Sequence, residues 1–127
     1  WPREADRLAA AFWPGPLTIV LPAAAEVPLE VTSGTGTVAV RVPSLPVTAA
    51  LCAAAGPLLS TSANRTGARG PLTCAEAVAG VGAAAAIALD AGPGGPLAST
   101  IVDLTGEAPA LLRAGAVAWE DVLAVLG

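Results

Sequence analysis

The sequence contains no histidine, no lysine, no tyrosine and no methionine. Without histidine it lacks the usual general base near neutral pH and the commonest neutral metal ligand. Without lysine it cannot build a P-loop, and no GxxxxGK[ST] is present. No GxGxxG follows a strand, and "GPGG" at 92–95 reads as a turn rather than a phosphate cradle. Aromatic residues are only 3%, so a core has to come from Ala, Val and Leu. The two cysteines, Cys52 and Cys74, match no CxxC or zinc spacing. Cys52, inside "TAALCAAAG", reads as a small buried thiol, and nothing supports a disulfide, which suits a reduced, cytoplasmic setting. No apolar run approaches the roughly 20 residues of a membrane span. The longest, "LTIVLPAAA" and "VGAAAAIALDAG", are broken by Pro, Gly or Asp. All six basic residues are Arg against ten acidic ones, a net charge of −4, so a domain-wide basic footprint for nucleic acid is missing. Residue 1 is Trp rather than an initiator Met, so an upstream segment is expected and the question of a signal peptide stays open.

What the sequence does have is apolar mass. Hydrophobic residues make up 54% and charged residues 13% of 127 residues, which excludes disorder and suits one compact domain. "READRLAAAFW" (3–13) predicts a helix with Leu8 and Phe12 on one face, stopped by Pro14. "LTIVLP" (17–22) predicts a strand covered on both sides. "TVAVRVP" (37–43) alternates, Val38, Val40 and Val42 against Thr37, Ala39 and Arg41. "PVTAALCAAAG" (46–56) predicts a helix from Pro46 to Gly56, followed by a buried strand "PLLS" (57–60). Thr73 and Glu76 form a capping box ahead of "AEAVAGV". "AAIALD" (85–90), "STIVDL" (99–104) and "ALLR" (110–113) predict strands, and "AWEDVLAVL" (118–126) a helix with Trp119, Val122, Leu123 and Leu126 at helical spacing. Strands and helices interleave without a linker or a repeat, which predicts a single α/β domain, a twisted mixed sheet with flanking helices.

No standard catalytic constellation is present, and the carboxylates are too scattered to pair. Small polar residues and arginines remain, at the ends of apolar strands, where an open α/β sheet usually keeps its site. Ser60, Ser62 and Asn64 fall in phase on one face of an extended "LSTSAN", beside Gly67 and Gly70. They either end a strand as an ordinary turn or line a pocket for phosphate or carboxylate oxygens. Arg41 is either a solvated or ion-paired edge residue or an anion ligand. Ser99 and Thr100 open one strand. Arg113 stands at the end of another beside Gly115, where its fork suits a phosphate or a carboxylate.

Six stretches in order, "FWPGPLTIVLP", "GTVAVRVP", "STSANRTG", "PLTCAEAV", "STIVDLTG" and "LLRAGAV", resemble the YrdC family, the threonylcarbamoyl-AMP synthases, across nearly the whole chain. The resemblance implies a twisted α/β sheet around a concave cavity. It also implies synthesis of threonylcarbamoyl-adenylate and pyrophosphate from L-threonine, bicarbonate and ATP, for modification of a tRNA adenosine by partner proteins. It implies ATP contacts at Thr37, Ser62, Asn64, Gly70 and Arg113, and threonine contacts at Arg41, Ser60 and Ser99. Magnesium would accompany the ATP phosphates, mostly water-ligated, with no protein metal ligands. The family's Lys-x-Arg and Pro-Thr-Asp-Thr-x-Tyr-Gly stretches have no counterpart, and Ala98 stands where the family has Glu, so the chain is expected to be the C-terminal portion of such a domain, at 1–127. Two alternatives remain: the carbamoyl-adenylate-handling domain of a hydrogenase-maturation carbamoyltransferase, and a non-catalytic nucleotide- or RNA-binding fragment. The net charge of −4 speaks against RNA.

Overall fold

The computed structural model describes residues 1–64, 67–95 and 97–127. Arg65 and Thr66 of "STSANRTG" and Pro96 of "AGPGGP" lie outside the described residues. The chain forms two compact units, one of residues 1–56 and 97–127, the other of residues 57–96. No described helix is long and apolar enough to cross a membrane.

The first unit is a four-stranded mixed sheet with helices. Its elements are α1 (Arg3–Phe12), β1 (Leu17–Pro22), the short α2 (Leu29–Thr32), β2 (Thr37–Val40), α3 (Pro46–Ala55), β3 (Thr100–Asp103), β4 (Ala110–Arg113) and α5 (Trp119–Leu126). Strand order is β2-β1-β3-β4, with β1 parallel to β3 at the centre and both outer pairs antiparallel. The twisted mixed sheet expected from the sequence is therefore present.

Period-2 patterning explains how the sheet packs. Leu17, Ile19 and Leu21 of β1 are buried, and Thr18 and Val20 are half-buried. The strand expected to be covered on both faces thus has one dry face and one partly wet one. Val102 of β3, Ala5 and Leu8 of α1, Val117, and Val122 of α5 complete the core, with Phe12, Trp119 and Leu126 packed against it. Glu4 and Asp6 lie in the first turn of α1, and Glu120 and Asp121 in that of α5, where carboxylates suit the helix dipole. Arg7 Nη1 donates to Leu126 O at 2.7 Å, satisfying a carbonyl at the end of α5.

β2 is shorter than its alternating pattern. Its ladder stops where Val40 faces Ile19, after which only Gly15 N reaches Val42 O, at 2.9 Å. Pro43 has no N–H to extend it. Arg41 therefore follows the strand instead of continuing the alternation expected over 37–43. Cys52, expected in a core, is half-buried, because no residue of α3 is buried.

Thr100 is fully buried and its hydroxyl joins β3 to the approach of α5. It donates to Val117 O at 2.6 Å and accepts from Val117 N at 3.0 Å. Thr100→Val should therefore leave a backbone donor and acceptor unpaired in the core. We expect a loss of about 1–3 kcal/mol, read from urea unfolding, with Thr100→Ser recovering most of it.

The second unit holds α4 (Cys74–Val81) and a following 3₁₀ turn, Gly82–Ala84. The predicted capping box forms with one change. Glu76 N donates to Thr73 Oγ1 at 3.2 Å, while Glu76 Oε2 accepts from Leu72 N at 2.8 Å, one residue ahead of the cap. The two strands expected here, 57–60 and 85–90, do not form. Neither has a neighbouring strand among the described residues, and a strand exists only through a ladder. Their apolar side chains are correspondingly exposed, Leu59 by 72% and Ile87 by 79%.

Candidate functional site: hydroxyls and arginines at strand ends

The tightest polar cluster lies at the β3–β4 end of the first unit. Arg113 is the last residue of β4, and its register with Ile101 is irregular. The guanidinium reaches the residue preceding β3. Nε donates to Ser99 O at 3.0 Å, and Nη2 donates to Ser99 O at 2.7 Å and to Ser99 Oγ at 2.9 Å. These bonds use the Nε proton and both Nη2 protons. Nη1, with two further N–H groups, has no partner among the described residues. Ser99 is buried, and its hydroxyl also lies 2.9 Å from Thr18 Oγ1. The result is a fixed, charged fork with one free edge, which can hold an anionic oxygen without reorganising.

The geometry depends on a close backbone approach. Ala116 N donates to Ala98 O at 3.0 Å, bringing the chain after β4 against the residues before β3. Gly115 lies in that contact. A Cβ there would come within 2.5 Å of Ser99 C and Thr100 N, and closer to Ala98 O.

At β2, Thr37 is the first strand residue and Arg41 follows the last. The turn ahead of Thr37 needs left-handed backbone, with Ser33 at φ 50°, Gly34 at 74° and Gly36 at 71°. Thr35 Oγ1 donates to Thr32 O at 2.6 Å and lies 2.9 Å from Thr37 Oγ1. A hydroxyl has one proton, so in that pair Thr37 donates and its oxygen is left as an acceptor. Arg41 is exposed and has no hydrogen-bonding or ionic partner among the described residues.

In the second unit, Asn64 Nδ2 donates to Ala68 O at 2.7 Å, tying the loop after the exposed Ser60 and Ser62. Ala63 stands at φ 50° and Gly67 at 81°. Asn64, Arg69, Gly70 and Glu76 border a cavity of about 340 Å³ whose lining does not include Ser60 or Ser62. The three residues expected to share one face of an extended chain are thus divided, because that chain is a loop.

Ser99 and Arg113 are brought into direct contact, Asn64 and Gly70 share a cavity, and Thr37 begins the strand that Arg41 follows. Sequence reasoning missed Thr18, Thr35 and Arg69. Thr18 had a signal: it is the one hydroxyl in "LTIVLP", out of phase with Leu17, Ile19 and Leu21. Among the described residues no three His, Cys, Asp or Glu side chains gather as metal ligands.

The family model for Sua5/YciO/YrdC, described as telomere recombination, matches residues 1–115. A Mycobacterium tuberculosis protein provisionally named as a threonylcarbamoyl-AMP synthase is 41% identical over 127 residues, covering 99% of this chain and 58% of its own. The threonylcarbamoyl-AMP synthase of Pyrococcus abyssi is 37% identical over 128 residues, covering 99% of this chain and 38% of its own. The structure of P. abyssi Sua5 complexed with L-threonine superimposes with a TM-score of 0.94 at 36% identity, over 100% of this chain and 38% of that one. The chain thus spans less than two thirds of the length of each of these relatives.

Proposed function

Because this chain belongs to the Sua5/YciO/YrdC family, we propose that it supplies substrate-binding residues of a threonylcarbamoyl-AMP synthase. The reaction joins L-threonine, bicarbonate and ATP into threonylcarbamoyl-adenylate, with release of pyrophosphate and water. The threonine nitrogen forms a bond to the bicarbonate carbon, and the resulting carbamate oxygen displaces pyrophosphate from the α-phosphorus. The product passes to tRNA-modification proteins, and a cytoplasmic location follows from that partnership.

The observation that carries this reading is the Arg113–Ser99 pair. Three hydrogen bonds hold the guanidinium and leave Nη1 without a partner among the described residues, a cation placed in advance for a phosphate oxygen. Catalysis then rests on positioning and charge stabilisation, which need no histidine. The family resemblance assigns nucleotide contacts to Thr37 and Arg113 in the first unit and to Ser62, Asn64 and Gly70 in the second. Thr37 accepts from a nucleotide N–H or O–H, since its own proton goes to Thr35. The resemblance assigns threonine contacts to Arg41 and Ser99 in the first unit and to Ser60 in the second, with Arg41 pairing the amino acid carboxylate. Mg²⁺ enters with ATP as part of the substrate, ligated by phosphate oxygens and water.

The test uses the protein as its gene encodes it. Pyrophosphate release from ATP should require both threonine and bicarbonate, and Arg41→Ala should raise the KM for threonine by about tenfold or more, the worth of one charged hydrogen bond. Equal ATP cleavage with and without threonine would refute the assignment.

A further inference from the structure

We infer that Thr18 is a positioning residue of this site, acting through Ser99 on Arg113. The inference rests on the reading of Arg113 as a phosphate ligand. Thr18 lies on the central strand β1, on the face opposite Leu17, Ile19 and Leu21. A valine would fill that place in a strand as well, so strand formation does not explain the hydroxyl. Its oxygen lies 2.9 Å from Ser99 Oγ, 81 residues away, and it has no other hydrogen-bond partner among the described residues. Ser99 Oγ in turn accepts from Arg113 Nη2 at 2.9 Å.

The serine hydroxyl is therefore held from two sides. Serine has three staggered rotamers. The one that receives Nη2 is fixed by Thr18, whichever of the two hydroxyls donates to the other. Without Thr18 Oγ1, the backbone carbonyl of Ser99 still receives Nε and Nη2, but the third tie loses its support. The guanidinium can then swing in its own plane, and the free Nη1 edge no longer points in one direction. Thr18 touches no substrate in this scheme. It sharpens the aim of the group that does.

The experiment compares Thr18→Val and Thr18→Ser in the protein as its gene encodes it. Without any ligand, the Ser99 rotamer is read from three-bond scalar couplings. In the wild type and Thr18→Ser it should be single, and in Thr18→Val averaged. With threonine and bicarbonate saturating, Thr18→Val should raise the KM for ATP about fivefold, the worth of one neutral hydrogen bond, with kcat changed less than twofold. Thr18→Ser should return the KM to within twofold of wild type. A merely structural role would lower kcat through the folded fraction and leave KM alone. A single Ser99 rotamer in Thr18→Val overturns the proposal. So does an unchanged KM for ATP, or a serine variant as impaired as the valine one. If the wild type releases no threonine-dependent pyrophosphate, the functional reading fails, while the Ser99 rotamer still decides whether Thr18 positions it.

Discussion

Gly115→Ala should destabilise the protein by about 3 kcal/mol, at the upper end of the range for overpacking. The added methyl group has no flexible side chain to push aside. Its neighbours are backbone: Ser99 C and Thr100 N at 2.5 Å, and Ala98 O closer still. Those atoms are fixed from several directions. Thr100 N donates to Pro16 O at 3.0 Å, Ala116 N to Ala98 O at 3.0 Å, and the Thr100 hydroxyl bonds Val117 on both its N and its O. Relief means breaking at least one of these inside a close-packed region. In urea the midpoint should fall by more than about 1 M, given slopes of about 1–3 kcal/mol/M. The same shift moves Ser99, so ATP use should weaken even where the variant still folds. A midpoint within a few tenths of a molar of wild type would mean that the chain separates at Gly115 without resistance.

The residues around Gly115 also mark how far the sequence is legible. β1, β3 and β4 could be read from apolar runs, α1 and α5 from helical spacing, and the α4 cap from Thr73 and Glu76, because each of these signals is local. "PLLS" and "AAIALD" carry the same apolar signal and form no strand. An apolar run reports the wish to be buried, while a strand also needs a neighbour, which the run does not encode. The site divides in the same way. Ser99 and Arg113 were readable as anion-binding types at strand ends. Their three mutual hydrogen bonds were not, since they join residues 14 apart that only the folded strand pairing brings together. Thr18 was still less accessible, because its partner is 81 residues away. For Ser60, Ser62 and Asn64 the period-2 argument failed with the strand it presupposed. Asn64 turns to Ala68 O instead.

Arg113→Lys should reduce threonine-dependent pyrophosphate release about 100-fold, nearly as far as Arg113→Ala, with unfolding shifted by no more than about 1 kcal/mol. The magnitude is that of removing one preorganised donor from a developing anion. The failure of lysine is the informative part. Arg113 directs Nε and Nη2 at one carbonyl and one hydroxyl, while Nη1 has no partner among the described residues. Only a planar fork can be anchored on one edge and offer another. A lysine ammonium that reaches Ser99 O gives up its aim at the phosphate, and one that reaches the phosphate loses its anchor. Stability should respond far less than the rate, because Arg113 is itself exposed. Pyrophosphate assays at saturating threonine and bicarbonate, paired with urea unfolding, separate the two effects. Lysine activity within tenfold of wild type would show that charge alone suffices, and the anchored fork would then have no part in the rate.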